Sequence, residues 1–385
     1  MAEQRVGFSW QWIELDRKAL ASNVRRFREL AGPKRLLLAV VKANAYGHGI
    51  VETSGLALAA GIDWFGVHSV EEGLVLHAAG VEVPVLVLGP AASERFEEAV
   101  ACGLRFTLYD RVAAEGLSKA AVRLRTRARV HLKLETGTNR QGLGLSELAS
   151  FARTLSRLPG IEVEGLSSHF ANVEDTTSLE YARRQTSQFT EGLALLRRAG
   201  IRIPVRHIAA TAAAIVYPES RYGMVRLGIG LYGLWPSKET YLSCRLRSRT
   251  PITLRPVLAW RARIAQVKRI PKGAFVGYGC TFKATRSMKL AVVPVGYADG
   301  YDRGLSNTAH VLVRGKRAAV RGRIAMNFFT ADVTDIPGTS AGDVVTLIGR
   351  DGRETISAES LAGLAGTIHY EILARLSPAI PRRVV

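Results

Sequence analysis

Cysteine is scarce in this chain: Cys102, Cys244 and Cys280 stand far apart, odd in number and outside any CxxC pattern. That spacing argues against a disulfide framework or a zinc site and suits a reducing compartment. No apolar run approaches the ~20 residues that a membrane-spanning helix needs. The opening MAEQRVGFSW lacks the apolar core of a signal peptide, so a cytoplasmic location is expected. Beyond a strand–helix rhythm there is no internal repeat, no low-complexity tract and no long flexible linker. Acidic residues are few, 33 Asp+Glu against 53 Lys+Arg, for a net charge of +20. A nucleic-acid-binding protein usually gathers such charge on one face. Here the arginines are spread along the chain, with densities at Arg123-Arg125-Arg127-Arg129 and Arg245-Arg247-Arg249. The first group alternates, which predicts a row of guanidinium groups on one side of a strand. Neither a nucleic-acid partner nor a membrane partner is expected, and the basicity reads as a general trait of the source organism's proteins.

What is present is ordinary for a globular protein: 47% hydrophobic and 22% charged residues. A length of 385 residues exceeds what one core usually spans, so two domains are expected. Candidate strands are Leu36–Val41, Trp64–Val67, Val85–Leu88, Arg105–Tyr109, Val130–Leu134, Val163–His169, Val205–Ala209 and Met224–Ile229. Helical stretches such as Ser69–Ala79, Leu145–Leu158 and Ser178–Ala199 lie between them. Alternation of this kind indicates parallel strands with crossover helices, and eight strands close a (β/α)8 barrel of the TIM type. A doubly wound open sheet fits the rhythm too, but count and length favour the barrel. Beyond about Arg245, short apolar segments are punctuated by turns such as Asp-Gly and Arg-Gly-Lys, the pattern of a mostly-β domain. The expected division is an N-terminal strand in 1–15 that can pack with the C-terminal domain, a barrel over 16–246 and a β domain over 247–385.

The segment VVKANAYGHG, residues 40–49, closes the first apolar run. A lysine at the end of a buried strand can stand at a barrel mouth with its stem packed and its amine desolvated, ready for Schiff-base chemistry. A strand-end lysine reaching into solvent is the plain alternative. Two glycines flank His48, so the turn can bring backbone N–H groups near an anion, with the Tyr46 hydroxyl as a further donor.

This segment closely resembles the pyridoxal-phosphate (PLP) lysine motif of alanine racemases. The resemblance implies that Lys42 binds the cofactor covalently and that Tyr46 reaches its phosphate. Further motifs follow in family order across nearly the whole chain. HLKLETGTNRQG, residues 131–142, resembles the segment whose arginine meets the cofactor's phenolic oxygen and the substrate carboxylate, which assigns those roles to Arg140. Lys133 matches a lysine that is carbamylated in some members. Glu135 and Thr138-Asn139-Arg140-Gln141 replace commoner residues, the mark of a variant branch. His169 and His207 close the next two strands. By resemblance one packs against the pyridine ring and the other joins the hydrogen-bond network beneath it. Thr211 keeps a hydroxyl for phosphate where the family usually has serine, while Ala210 loses the preceding amide. In VRLGIGLYG, residues 225–233, Arg226 is assigned to the pyridine nitrogen, with Gly228 and Ile229 beside the phosphate. An arginine there leaves the nitrogen unprotonated, which favours racemisation over transamination.

In the β domain, VGYGCTF (276–282) resembles the motif of the catalytic tyrosine, here Tyr278. Racemisation needs a proton acceptor on each face of a planar intermediate, a pair supplied by Lys42 and Tyr278. In the family that tyrosine reaches the site across a dimer interface, which implies a homodimer with shared sites. Tyr297 and Met326 match residues bordering the substrate pocket, Asn327 replaces a more frequent aspartate, and Tyr370 matches a tyrosine on the phosphate side. No metal is expected. The resemblance implies PLP-dependent interconversion of L- and D-alanine, supplying D-alanine for the cell wall. The alternative is a racemase of broader specificity. A decarboxylase on the same architecture and a non-catalytic PLP carrier are disfavoured by the Tyr278 motif and by the β domain.

Overall fold

The apolar run that begins at Leu36 is buried and becomes the first strand of a parallel barrel in the computed structural model, which describes residues 8–90, 93–247 and 252–385. Most of the opening segment and Arg249 of the second arginine density lie outside the described residues. The chain divides into two compact units. One comprises Lys18–Ala43 and Thr53–Pro256, and the other comprises the chain up to Arg17, Asn44–Glu52 and Val257–Val385.

The first unit is the (β/α)8 barrel predicted. Its strands are β1 (Leu36–Val40), β2 (Trp64–Val67), β3 (Val85–Val87), β4 (Arg105–Leu108), β5 (Ala128–Lys133), β6 (Ile161–Ser167), β7 (Val205–His207) and β8 (Met224–Leu227). They pair in sequence order, and β8 returns to β1 with Leu36 opposite Met224. Between β7 and β8 the ring closes through Gly223 N–H to Arg206 O (2.9 Å) and Arg226 N–H to Ala209 O (3.1 Å). Amphipathic crossover helices cover the outside. Helix Arg17–Ala31 turns Leu20, Val24 and Phe27 inward, and Ser69 and Asp110 cap the helices that follow them.

Two departures from regular pairing matter below. Val130 faces Val163 but His131 faces Gly165, so Glu164 is an extra residue in β6, a β-bulge. After Lys42, four non-glycine residues in a row, Ala43 to Tyr46, adopt φ of 52–53°, a left-handed turn. Each such residue costs about 1–2 kcal/mol.

The alternating arginines do not form the expected row. Arg123 ends helix Arg111–Arg123 and pairs with Glu97, Arg125 turns with φ 51°, and only Arg129 lies on a strand. The apolar spacing of Leu117, Ala120, Ala121 and Leu124 at helical period prevails over the two-residue alternation of charge.

The second unit is mostly β, as expected. Its main sheet has ten strands, among them Leu258–Arg263, Met288–Val293, Lys316–Arg321 and Val344–Asp351. The N-terminal strand Gln11–Leu15 belongs to this sheet, antiparallel to Leu258–Arg263 and parallel to Arg382–Val384. Two short helices, Ala358–Ala365 and His369–Ala374, follow one another near the end of the unit.

Candidate active site

Lys42 follows the buried end of β1, and that end is tied down. Val40 O accepts from the Tyr232 hydroxyl at 2.8 Å, and Val41 N–H donates to Gly66 O at 2.8 Å. Immediately after the lysine, Ala43 N–H donates to one oxygen of Glu72 at 2.6 Å, while His68 N–H donates to the other at 2.7 Å. Burial lowers the Lys42 pKa from its ordinary value, the nearby Arg140 charge lowers it further, and Glu72 partly opposes both.

Arg226 on β8 is buried and committed in several directions. One terminal nitrogen donates to His207 Nδ1 at 2.7 Å; the other donates to Ser168 O (2.8 Å), His169 Nδ1 (3.0 Å) and Ile208 O (3.0 Å). Nε–H and the second N–H of the first terminal nitrogen take no part in these bonds, so Arg226 keeps donors for a ligand. Burial and the Arg140 charge lower the Arg226 pKa to about 10, which leaves it charged at neutral pH. Both histidines are held well below the usual imidazole value, first by burial and then by Arg226, and are therefore neutral.

Lys133 at the end of β5 is buried, and its pKa falls to about 7 through burial and the charges of Arg226 and Arg140. Arg140 itself lies exposed on the loop after β5. The Glu135 carboxylate organises that loop by accepting from Thr138 N–H (2.6 Å), the Thr138 hydroxyl (3.1 Å) and Gly137 N–H. Burial alone would raise the Glu135 pKa, but these hydrogen bonds keep it below the usual carboxylate value. A cavity of about 200 Å³ opens beside Arg140 and His169, lined also by Thr138, Phe170, Ala210 and Ala213.

The buried Thr211 hydroxyl begins helix Thr211–Val216 and accepts from Gly228 N–H at 3.0 Å and, more weakly, from Gly230 N–H at 3.5 Å. A Cβ on residue 230 would lie 2.5 Å from Thr211 Cγ2, so only glycine permits this approach. Ile229 is buried in the turn between these two glycines. The barrel unit thus gathers Lys42, Arg140, His169, His207, Thr211, Arg226, Gly228 and Ile229 at the carboxyl ends of its strands.

The other predicted residues belong to the second unit. Tyr46 and Tyr370 face each other with ring centroids 6.2 Å apart. Tyr297 N–H donates to Ala325 O (3.1 Å) and Ala298 N–H to Met326 O (3.0 Å), which joins those two segments. Tyr278 is 75% exposed in a short turn, and its neighbour Gly279 approaches the Arg323 guanidinium. His48 is fully buried: its Nδ1 meets Tyr46 O at 3.0 Å, and burial lowers its pKa to about 4. Gly49 N–H donates to Asn44 O and His48 N–H to Ala45 O, so these amides serve the turn itself rather than an anion.

Sequence reasoning missed Glu72 and His131 as parts of the site's support. His131 shares a strand face with Lys133 two residues on, a signal that was available. Glu72 carries none, because its role comes from helix packing.

These observations define a class: a (β/α)8 barrel with a lysine-centred cationic site at its carboxyl face, joined to a β unit. Residues 15–236 match the alanine racemase N-terminal domain family, and residues 257–384 match the alanine racemase C-terminal domain family. The chain is 42% identical to the alanine racemase of Symbiobacterium thermophilum over 371 residues, 96% of each chain. It superposes on alanine racemase from Clostridium difficile 630 with a TM-score of 0.92 at 30% identity, covering 98% of this chain and 96% of the other. A histidine racemase from Leuconostoc mesenteroides gives a TM-score of 0.89 at 27% identity over 99% of both chains. The chain belongs to the alanine racemase family.

Proposed function

We propose that this chain interconverts L- and D-alanine with PLP as cofactor, and that Lys42 and Tyr278 are the residues that move the proton. The observation that carries this reading is the gathering of Lys42, Lys133, Arg140 and Arg226 about one barrel mouth, close enough that the Arg140 charge lowers the pKa values of the other three. Among the described residues, Glu72 opposes them at Lys42 and Glu135 at Lys133. Such a positive, partly dry pocket suits a ligand with phosphate, phenolate and carboxylate groups.

The residues present fit PLP by the chemistry of their donors. Lys42 would hold it covalently, its amine made nucleophilic by desolvation. Arg226 Nε–H would meet the pyridine nitrogen, and His169 and His207 would brace that side. Thr211, Gly228, Ile229, Tyr46 and Tyr370 would surround the phosphate. Once bound, PLP supplies the electron sink that makes the Cα–H bond of an amino acid acidic. Lys42 Nζ takes or returns the proton on one face, and the Tyr278 hydroxyl does so on the other. Arg140 positions the substrate carboxylate, while Tyr297 and Met326 border a small side chain.

Tyr278 is highly exposed in one copy of the chain, and Phe275, Tyr297, Met326 and Phe328 of the same unit are exposed as well. So much open aromatic and apolar surface supports a homodimer in which Tyr278 serves the partner's site. Three unbridged cysteines suit work in the reducing cytoplasm.

The test is chiral chromatography of PLP-loaded protein incubated separately with L-alanine, L-serine, L-lysine, L-arginine and L-histidine. D-alanine should far exceed the other products. Dominant histidine racemisation would favour the specificity named for the Leuconostoc neighbour, and no D-product at all would overturn the racemase reading.

A further inference from the structure

Beneath Arg226 a chain of hydrogen bonds runs through the barrel interior to an acid. His207 Nε2 lies 2.8 Å from His131 Nδ1, and His131 Nε2 lies 3.2 Å from Glu164 Oε2. Both imidazoles are fully buried. We infer that Glu164 is a positioning residue: as the terminal acceptor it fixes the tautomers of His131 and His207 and thereby the orientation of Arg226.

The direction of the chain follows from what each group can do. A charged guanidinium only donates, so His207 Nδ1 must accept and its proton lies on Nε2. That proton points at His131 Nδ1, which must accept in turn, so the His131 proton lies on Nε2. Only an acceptor can end the series, and Glu164 is that acceptor. Reversing any link would set two N–H groups face to face in a buried site, a loss of a hydrogen bond with no water to replace it. Burial would raise the Glu164 pKa, but the bond from His131 and the charges of Arg105 and Arg129 hold it below the usual carboxylate value. Arg105 Nε is 3.5 Å from the same oxygen, and its guanidinium lies over the Trp64 ring, which itself faces His131 at 5.6 Å.

The backbone is shaped for this contact. Glu164 is the extra residue of the bulge in β6, and a bulge re-aims the side chain it carries. A Cβ on residue 165 would lie 2.5 Å from His131 Nδ1, so Gly165 leaves the ring its place. The three groups reach Arg226 from three different strands, and no single strand could supply this order.

The inference rests on Arg226 being the guanidinium that meets the reacting ligand, and the test separates the two ideas. The full-length protein is labelled with 15N-histidine and its imidazole nitrogens are read by NMR, with His131 and His207 assigned by single substitution. Wild type should show both rings protonated at Nε2 only. Glu164→Leu should lose that pattern, whereas Glu164→Gln, which keeps an oxygen acceptor, should retain it. In steady-state assays Glu164→Leu should lower kcat about tenfold or more with KM little changed, since a misplaced site group loses rate before binding, and Glu164→Gln should recover most of it. Unchanged imidazole signals in Glu164→Leu would overturn the inference. A Glu164→Gln variant as impaired as Glu164→Leu, or one that loses the pattern, would do so as well, even if the leucine variant does not fold. The expected NMR changes in a protein that does not racemise would defeat the functional reading and leave the relay intact.

Discussion

The candidate residues of the barrel unit and those of the β unit differ in how they are held. In the barrel Arg226, Lys133 and His207 are buried, and Arg226 and His207 are tied to named partners. In the β unit Tyr278 and Met326 are 75% and 55% exposed. One region has its charges set in advance, which is how a protein stabilises a ligand without reorganising. The other leaves its candidate side chains open, with no such setting built around them.

Replacing Lys42 strikes the preorganised side hardest. Lys42→Ala should abolish both racemisation and the visible absorbance of lysine-bound PLP, and retained absorbance would remove Lys42 from its role. Tyr278→Phe strikes the open side: it should keep the cofactor and lower kcat by about 10²–10⁴, the usual worth of a general acid or base. A wild-type rate would defeat the two-residue scheme. Equal mixing of these two inactive variants should restore about a quarter of the sites after random subunit exchange in a symmetric dimer. No recovery, with exchange verified, would argue that each copy uses its own tyrosine.

Stability separates the regions less sharply. His48 in the β unit is buried and neutral, with its pKa lowered to about 4. Below pH 6.5 the unfolded chain binds a proton that the folded chain refuses, so stability falls as pH drops from about 6.5 to 4. The loss from this residue is roughly 3 kcal/mol. His48→Gln should flatten that part of the profile in denaturant titrations at several pH values. A profile as steep as wild type would assign the loss to other groups. The smallest effect belongs to the turn after Lys42. Ala43 is exposed at φ 53°, so Ala43→Gly should raise stability by about 0.5–1 kcal/mol in the same titrations. A decrease would mean that the strain is relieved elsewhere.

Much of this was legible in the sequence where one physical rule acts alone. The eight barrel strands follow from apolar runs between amphipathic helices, and the position of Lys42 follows from the run that precedes it. Competing rules obscured the rest. The alternating arginines suggested a strand, yet the helical period of their apolar neighbours prevailed. In Lys-Ala-Asn-Ala-Tyr only Asn44 favours left-handed geometry, and the turn is held by one remote contact, Glu72 on Ala43, and one local one, Ile50 N–H on Asn44 Oδ1. Helix His369–Ala374 spans 6 residues, too few to show a period. The bulge that aims Glu164 inward depends on the register of two strands, and composition holds no trace of it.

The left-handed turn also bears on the order in which the protein matures. Local propensity works against it, so it has no reason to form in a nascent chain. It can persist only once Glu72 has been delivered by its helix and the Asn44–Ile50 loop has closed. The strand ahead of Lys42 can assemble early, but the direction in which its chain leaves the lysine is settled late. An incompletely folded molecule would therefore carry the barrel strand with the chain beyond Lys42 still undirected.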